Sequence, residues 1–290
     1  MADSDAEGRD SRSAPMSAMP STNGAEPVIM MIGAVPVDLC TVEAVLSLVR
    51  RRIAATEEPP LAVGSVNLDH LHHFAGPDRP RLGNPGGRRG DGVDWVLLAD
   101  GAPIAACAGR LTGHAWPRLA GADLLPMILA ESAAAHRTVG FLGGFPDLHR
   151  KLEATVPKSF PGIGRLEFWG PERDEIEDPE RSRQLARKIE RYAVDVLVVG
   201  LGKPRQELWI DHYGASTGAR VLLAFGAAAD FLAGTATRAP RLLRESGLEW
   251  LYRLARDPRR LAHRYLVEGP PAFLTLHRAR LAPEFRSALE

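Results

Sequence analysis

Short apolar runs, each stopping on glycine or a polar residue and followed by a segment with helical spacing, recur through most of this chain. They fall at 28–33, 61–67, 95–99, 138–142, 165–169, 194–199 and 221–225. Helical spacing marks 41–55, 121–136, 146–156, 179–192 and a helix opening at 204–213. Thr41 is placed to cap the first of these, with Glu43 in its first turn. Strands alternating with helices imply an α/β fold with a mostly parallel sheet covered on both faces. Residues 1–27, rich in Ser, Ala, Asp and Gly without apolar period, read as a disordered tail. The segment 28–240 reads as the α/β domain, and 241–290 as a helical, Arg-rich C-terminal appendage.

In an open parallel sheet, ligands bind beyond the carboxyl ends of the strands. Five such ends carry suggestive residues: Ser65 and Asn67; Asp100-Gly101; Gly143-Gly144; Gly200 to Glu207; and Gly226 to Asp230. Each alone is more often only a tight turn, but together they converge on one edge. The segment VDVLVVGLGKPRQELWI (194–210) is the most informative. Gly200 and Gly202 let the backbone approach a ligand, and Pro204 suits the first turn of the next helix. That helix start offers free N–H groups to a phosphate, and Lys203 adds a point charge. Gln206 and Glu207 are placed to hydrogen-bond a ribose or sugar hydroxyl; Glu207 serves equally as a complement to the helix dipole. Neither GxxxxGK[ST] nor GxGxxG is present, which argues against a P-loop enzyme or an NAD-dependent oxidoreductase. Asp100, at a strand end before glycine, is either a general base on a hydroxyl or part of an Asp-Gly turn.

Lys+Arg and Asp+Glu are both 36, so net charge gives no sign of a nucleic-acid partner. Cys40 and Cys107 form neither a metal set nor a disulfide framework, and a reducing cytoplasm fits. His70, His72 and His73 lack the further ligands of a zinc site, so no metal is assigned. No apolar run reaches the roughly 18 residues of a membrane span, and no basic-then-apolar leader opens the chain. Residues 76–92 form a Gly/Pro/Arg-rich loop. From Arg238 to Arg264 there are eight arginines, followed by the apolar, Pro-broken YLVEGPPAFLTL (265–276). This combination fits an element lying on an anionic membrane surface, a lid over phosphates, or a solvated helix pair.

Several of these segments together carry a family pattern. They are IGAVPVDLCTVEAV (32–45), SVN (65–67), LADG (98–101), AGADL (120–124), FLGGFP (141–146), VDVLVVGLGKPRQELWI (194–210), FGAAADFLAGTATRAP (225–240) and LEWLYRLARDPRRLAHRY (248–265). The chain resembles the WecG/TagA/CpsF family of bacterial glycosyltransferases from about residue 29 to 266. The resemblance implies a Rossmann-like fold and inverting transfer of a sugar from a UDP-sugar to a polyprenyl-diphosphate-linked acceptor. That transfer builds cell-surface polysaccharide at the cytoplasmic face of the membrane, with the protein bound peripherally. The sugar is of N-acetylmannosamine, uronic acid or hexose type. No cofactor or metal is implied, and oligomeric state stays open, self-association included. The resemblance makes Asp100 the catalytic base and puts Ser65 and Asn67 on the sugar pocket, with Gln206 from the PxQE-type motif. Arg253 and Arg260 match appendage arginines that contact diphosphate. Gly143, Gly144, Asp230, Arg238 and Arg264 complete the expected substrate-binding set. The chain departs from the pattern at Ser65, where threonine is usual, at His263, where arginine is expected beside Arg264, and at Ala229, where phenylalanine is usual. An inverting transfer needs one base and charge stabilisation of the departing UDP; Asp100 suits the first, and helix N-termini with arginine suit the second. A nucleotide-sugar-binding scaffold without turnover is the alternative from another class.

Overall fold

The computed structural model describes residues 28–55, 57–82, 92–240, 242–243 and 248–282. The tail 1–27, most of the Gly/Arg loop (83–91), Arg241, Arg244 and the side chain of Arg260 lie outside the described residues.

The predicted alternation is present. Six parallel strands form most of the sheet: β3 (Leu61–Val66), β4 (Asp94–Ala99), β5 (Thr138–Gly143), β6 (Arg165–Trp169), β7 (Val196–Gly200) and β8 (Val221–Leu223). With β1 (Val28–Ile32), β2 (Val35–Leu39) and β9 (Arg280–Leu281), the order is β6-β5-β7-β8-β3-β4-β2-β1-β9. β1 runs antiparallel to both β2 and β9. The chain builds β3 and β4, crosses to the far side for β5 through β7, then returns with β8 beside β3. The crevice beyond the β8–β3 junction is therefore flanked by the end of β7 on one side and of β4 on the other, the switch-point position expected for a ligand.

Three apolar clusters hold the layers together. One lies under α1 (Val42–Ala54), α4 (Gly121–Ala134), α5 (Pro146–Ser159) and α9 (Gly226–Leu232) and contains Val45, Leu125, Val198 and Leu223. A second packs Trp169, Ile189, Val199 and Trp209 beneath α7 (Pro179–Glu190) and α8 (Arg205–Tyr213). The third joins Met30, Val37, Leu97 and Phe74 with the C-terminal residues Ala272 and Leu276.

Local chemistry explains where spacing alone misplaces elements. The apolar pattern predicts one strand before α1; the structure has a hairpin, turned at Gly33 (φ +60°). Pro36 and Asp38 interrupt the apolar run of β2, which hides it. Asp38 is nevertheless buried, and its Oδ2 accepts from the Leu97 backbone N–H at 2.8 Å. This side-chain bond supplements a β2–β4 ladder with a single paired position, Asp38 with Leu98. The helices predicted at 121–136 and 179–192 stop at Ala134 and Glu190, just before His136 and Ala193, both with φ of +50°. Three helices absent from the prediction follow strand ends: α2 (Leu68–Phe74), capped by Asn67; α3 (Ala102–Thr112), preceded by Gly101 at φ +92°; and α9, after β8. Pro204 occupies the cap position of α8 instead of its first turn. Between them, α6 (Arg173–Glu177) precedes α7, whose N-cap is Asp178.

The C-terminal segment is helical, as composition suggests, and partly woven into the sheet. It comprises α10 (Glu249–Arg256), α11 (Pro258–Ala262), a π-helical turn (His263–Glu268) and α12 (Gly269–Leu274). α12 packs on α2, and β9 adds to the edge of β1 through Met30–Leu281 and Met31–Arg280. Among the described residues, no helix is long and apolar enough to cross a membrane.

Candidate active site

A cleft of about 1630 Å³ opens over the carboxyl ends of the central strands. Thirteen of the expected residues line it: Ser65, Asn67, Asp100, Gly143, Gly144, Gly200, Gly202, Lys203, Gln206, Asp230, Arg238, Arg253 and Arg264. Pro204 and Glu207 lie outside the lining.

Asp100 follows the end of β4, and Val66 at the end of β3 and Asn67 just after it hold it. Its backbone N–H donates to Val66 O at 2.9 Å, and Asn67 Nδ2 donates to its Oδ2 at 3.4 Å. Asn67 is itself fixed, because its Oδ1 accepts from His70 N at 3.2 Å as the cap of α2. Burial pushes the Asp100 carboxyl above the usual carboxylate range, with Glu249 adding to the effect. The charges of Arg118 and Lys203 and the Asn67 hydrogen bond oppose it. A carboxyl raised by burial but held by cations beside a cleft has the environment of a group that takes up a proton during turnover.

The strand-end glycines serve mainly to bring main chain against main chain. A Cβ on Gly226 would sit 2.6 Å from Gly200 Cα, and one on Gly143 would sit 2.3 Å from Gly200 O. β5, β7 and the start of α9 thus converge backbone to backbone. Gly202 differs: its φ of +77° requires glycine, while a Cβ there would meet only Arg205 Nη2, at 3.7 Å. The Gln206 amide is anchored by donating from Nε2 to Ala224 O at 3.0 Å and to Glu207 Oε1 at 3.1 Å. Glu207 is fully buried and turns away from the cleft to pair with Lys203 Nζ at 3.4 Å.

Further positive charge in the cleft comes from Arg118, Arg238, Arg253 and Arg264, all but Arg253 held by carboxylates. Arg238 Nη1 donates to Asp123 Oδ1 at 2.6 Å, which raises the guanidinium pKa still further. Arg253 and Arg238 both lie over the Phe231 ring, 5.8 and 5.7 Å from its centroid. Arg264 reaches Asp69 Oδ2 at 2.7 Å from the π-helical turn, while His263 beside it is exposed and meets Glu268 at 3.3 Å. Two residues that spacing did not single out, Arg118 and Glu249, also line the cleft. Arg118 donates to Glu249 Oε2 at 2.9 Å and approaches Asp123 Oδ2 at 3.7 Å, tying α10 to the cleft wall. Arg118 lies in a Pro- and Trp-containing loop without periodicity, so only its closeness in sequence to the AGADL segment hints at it.

The model of the glycosyl transferase WecG/TagA/CpsF family matches residues 30–286, spanning every element that builds the cleft. The chain belongs to this family. Among the chain's relatives are N-acetylglucosaminyldiphosphoundecaprenol N-acetyl-beta-D-mannosaminyltransferases of Staphylococcus aureus strains MRSA252, MW2 and NCTC 8325 / PS 47. Each is 26% identical over 178 residues, covering 61% of this chain and 66% of the relative. The matched region thus spans just under two thirds of these WecG/TagA/CpsF relatives.

Proposed function

We propose that the protein is an inverting glycosyltransferase that moves a sugar from a UDP-sugar to a polyprenyl-diphosphate-linked acceptor. The observation that carries this reading is one half-buried carboxylate, Asp100, set in a cleft that Arg118, Arg238, Arg253 and Arg264 also line. In the proposed step the acceptor hydroxyl oxygen attacks the anomeric carbon as the bond to the UDP oxygen breaks. Asp100 takes the hydroxyl proton. The charge released on the diphosphate is met by arginine and by the backbone N–H groups at the starts of α5 and α8. Cation stabilisation of this kind needs no metal. The names of the Staphylococcus relatives make an N-acetylmannosaminyl donor and an N-acetylglucosaminyl-diphosphate lipid the first pair to test.

A lipid-linked acceptor calls for contact with a membrane surface. Leu251, Leu266 and Val267 are 48%, 60% and 57% exposed on the arginine-bearing C-terminal segment, which supports peripheral attachment. The test is UDP release across a panel of UDP-sugars with a short polyprenyl-diphosphate-GlcNAc acceptor. Release that depends on both substrates supports the reading. UDP-sugar binding without release under any pairing would instead leave a nucleotide-sugar-binding scaffold.

A further inference from the structure

The loop after β7 places Lys203 on the cleft wall, where a free ammonium would face a phosphate. Its surroundings point to a different task. A lysine ammonium has three protons to donate. Lys203 Nζ lies 2.7 Å from Ser65 O, 3.2 Å from His70 Nδ1 and 3.4 Å from Glu207 Oε1. Three acceptors from three elements thus match its three donors, and the side chain is only 12% exposed. Contact with a ligand phosphate would cost it one of them. His70, fully buried, is kept neutral by burial first and by Lys203 second; as the acceptor at Nδ1, it carries its proton on Nε2.

The partners of Lys203 lie along the support of Asp100. Ser65 O belongs to the strand whose next residue, Val66, accepts from the Asp100 backbone N–H, and whose following residue, Asn67, donates to the Asp100 carboxylate. His70 belongs to the helix that Asn67 caps. We propose that Lys203 is a positioning residue: clasped by Ser65, His70 and Glu207, it fixes the end of β3 under Asp100 and holds its ammonium on the cleft wall where it acts on that residue. The other charged groups acting on Asp100 are Arg118 and Arg238, with the same sign of effect, and Glu249, with the opposite sign. Lys203 itself is faced by the charged groups Glu207 and Asp100 and by the neutral His70. The link to catalysis rests on Asp100 being the base; the effect on Asp100 does not.

The test therefore reads Asp100 directly. The Gly101 backbone amide of the full-length protein is followed by NMR as pH is varied, in wild type and in the Lys203→Gln, Lys203→Arg and Asp100→Asn variants. Asp100→Asn identifies the Asp100 transition by removing it. Lys203→Gln keeps a hydrogen-bonding side chain but no charge. It is expected to move the midpoint upward by on the order of one pH unit, as loss of a nearby opposite charge does. Lys203→Arg is expected to restore most of the shift. Should Lys203→Gln fail to fold, Lys203→Met with the same readout takes its place, and Lys203→Arg against wild type still separates charge from shape. An unmoved midpoint in a folded, uncharged variant overturns the proposal, as does a variant whose only change is weaker UDP binding. A moved midpoint in a protein that turns over no UDP-sugar would sustain the proposal and sink the transferase reading instead.

Discussion

Replacing Gly226 with alanine probes how the cleft floor is assembled. The added methyl would stand 2.6 Å from Gly200 Cα and 3.0 Å from Gln206 Oε1. The first contact is with main chain, so no rotamer change relieves it, and α9 must shift from the end of β7. Overpacking of this kind costs about 1–3 kcal/mol. For a chain of this size, about 2 kcal/mol lowers Tm by roughly 4–8 °C. Gly202→Ala is the natural control: its φ of +77° strains alanine, but the nearest atom to the new methyl is a flexible arginine tip at 3.7 Å. Left-handed strain costs roughly 1–2 kcal/mol. Thermal unfolding by circular dichroism, paired with UDP titration by calorimetry, reads both variants. Gly226→Ala should melt below wild type and bind UDP more weakly, because the new methyl meets Gln206 of α8, which lines the cleft, as well as Gly200. A Gly226→Ala protein that melts with wild type would refute backbone convergence as the reason for glycine here.

Two other outcomes follow from burial and exposure. His70 and His73 are both held below the usual histidine value by burial, so the unfolded chain takes up protons first as pH falls below about 6.5. Stability should therefore be full above that pH and decline beneath it, by up to about 1.4 kcal/mol per pH unit for each proton; urea midpoints at pH 7.5 and 5.5 should diverge less in His70→Gln, and equal divergence contradicts the assignment. The double substitution Leu266→Glu and Val267→Glu should reduce co-sedimentation with anionic vesicles severalfold at unchanged Tm, and undiminished binding would remove these residues from any membrane contact. Point changes serve better than truncation near residue 245, which would strip Leu276 from the core and β9 from β1.

The layout of the parallel sheet was legible because its strands are buried on both faces and read as continuous apolar runs. The convergence of five strand ends on one cleft followed from that layout. β2 was not legible, since Pro36 and Asp38 break its pattern and Asp38 makes sense only once Leu97 N–H is seen opposite it. α2 and α3 escaped notice for a related reason: seven and eleven residues with histidine or alanine on the buried face give little periodic contrast. Residue types at strand ends singled out Asp100, Asn67 and the glycines, all of which line the cleft. Spacing could not assign directions to side chains. Glu207 faces inward to Lys203, and Lys203 is saturated by protein acceptors, because elements 133 and 138 residues away in sequence meet there. Arg118 and Glu249, 131 residues apart, become a pair only in the folded chain.

Asp100→Asn offers the most direct test of the transferase reading. The folded protein holds this carboxyl above its unfolded value, so its contribution to stability is present at low pH and lost as pH rises through the folded value. Asparagine removes that cost at neutral pH while keeping the shape and the Asn67 contact. UDP release should therefore fall by about 10²–10⁴-fold, while UDP affinity is unchanged and Tm is equal to or above that of wild type. Transfer at the wild-type rate by a folded, UDP-binding Asp100→Asn protein would contradict the role of Asp100 as the base.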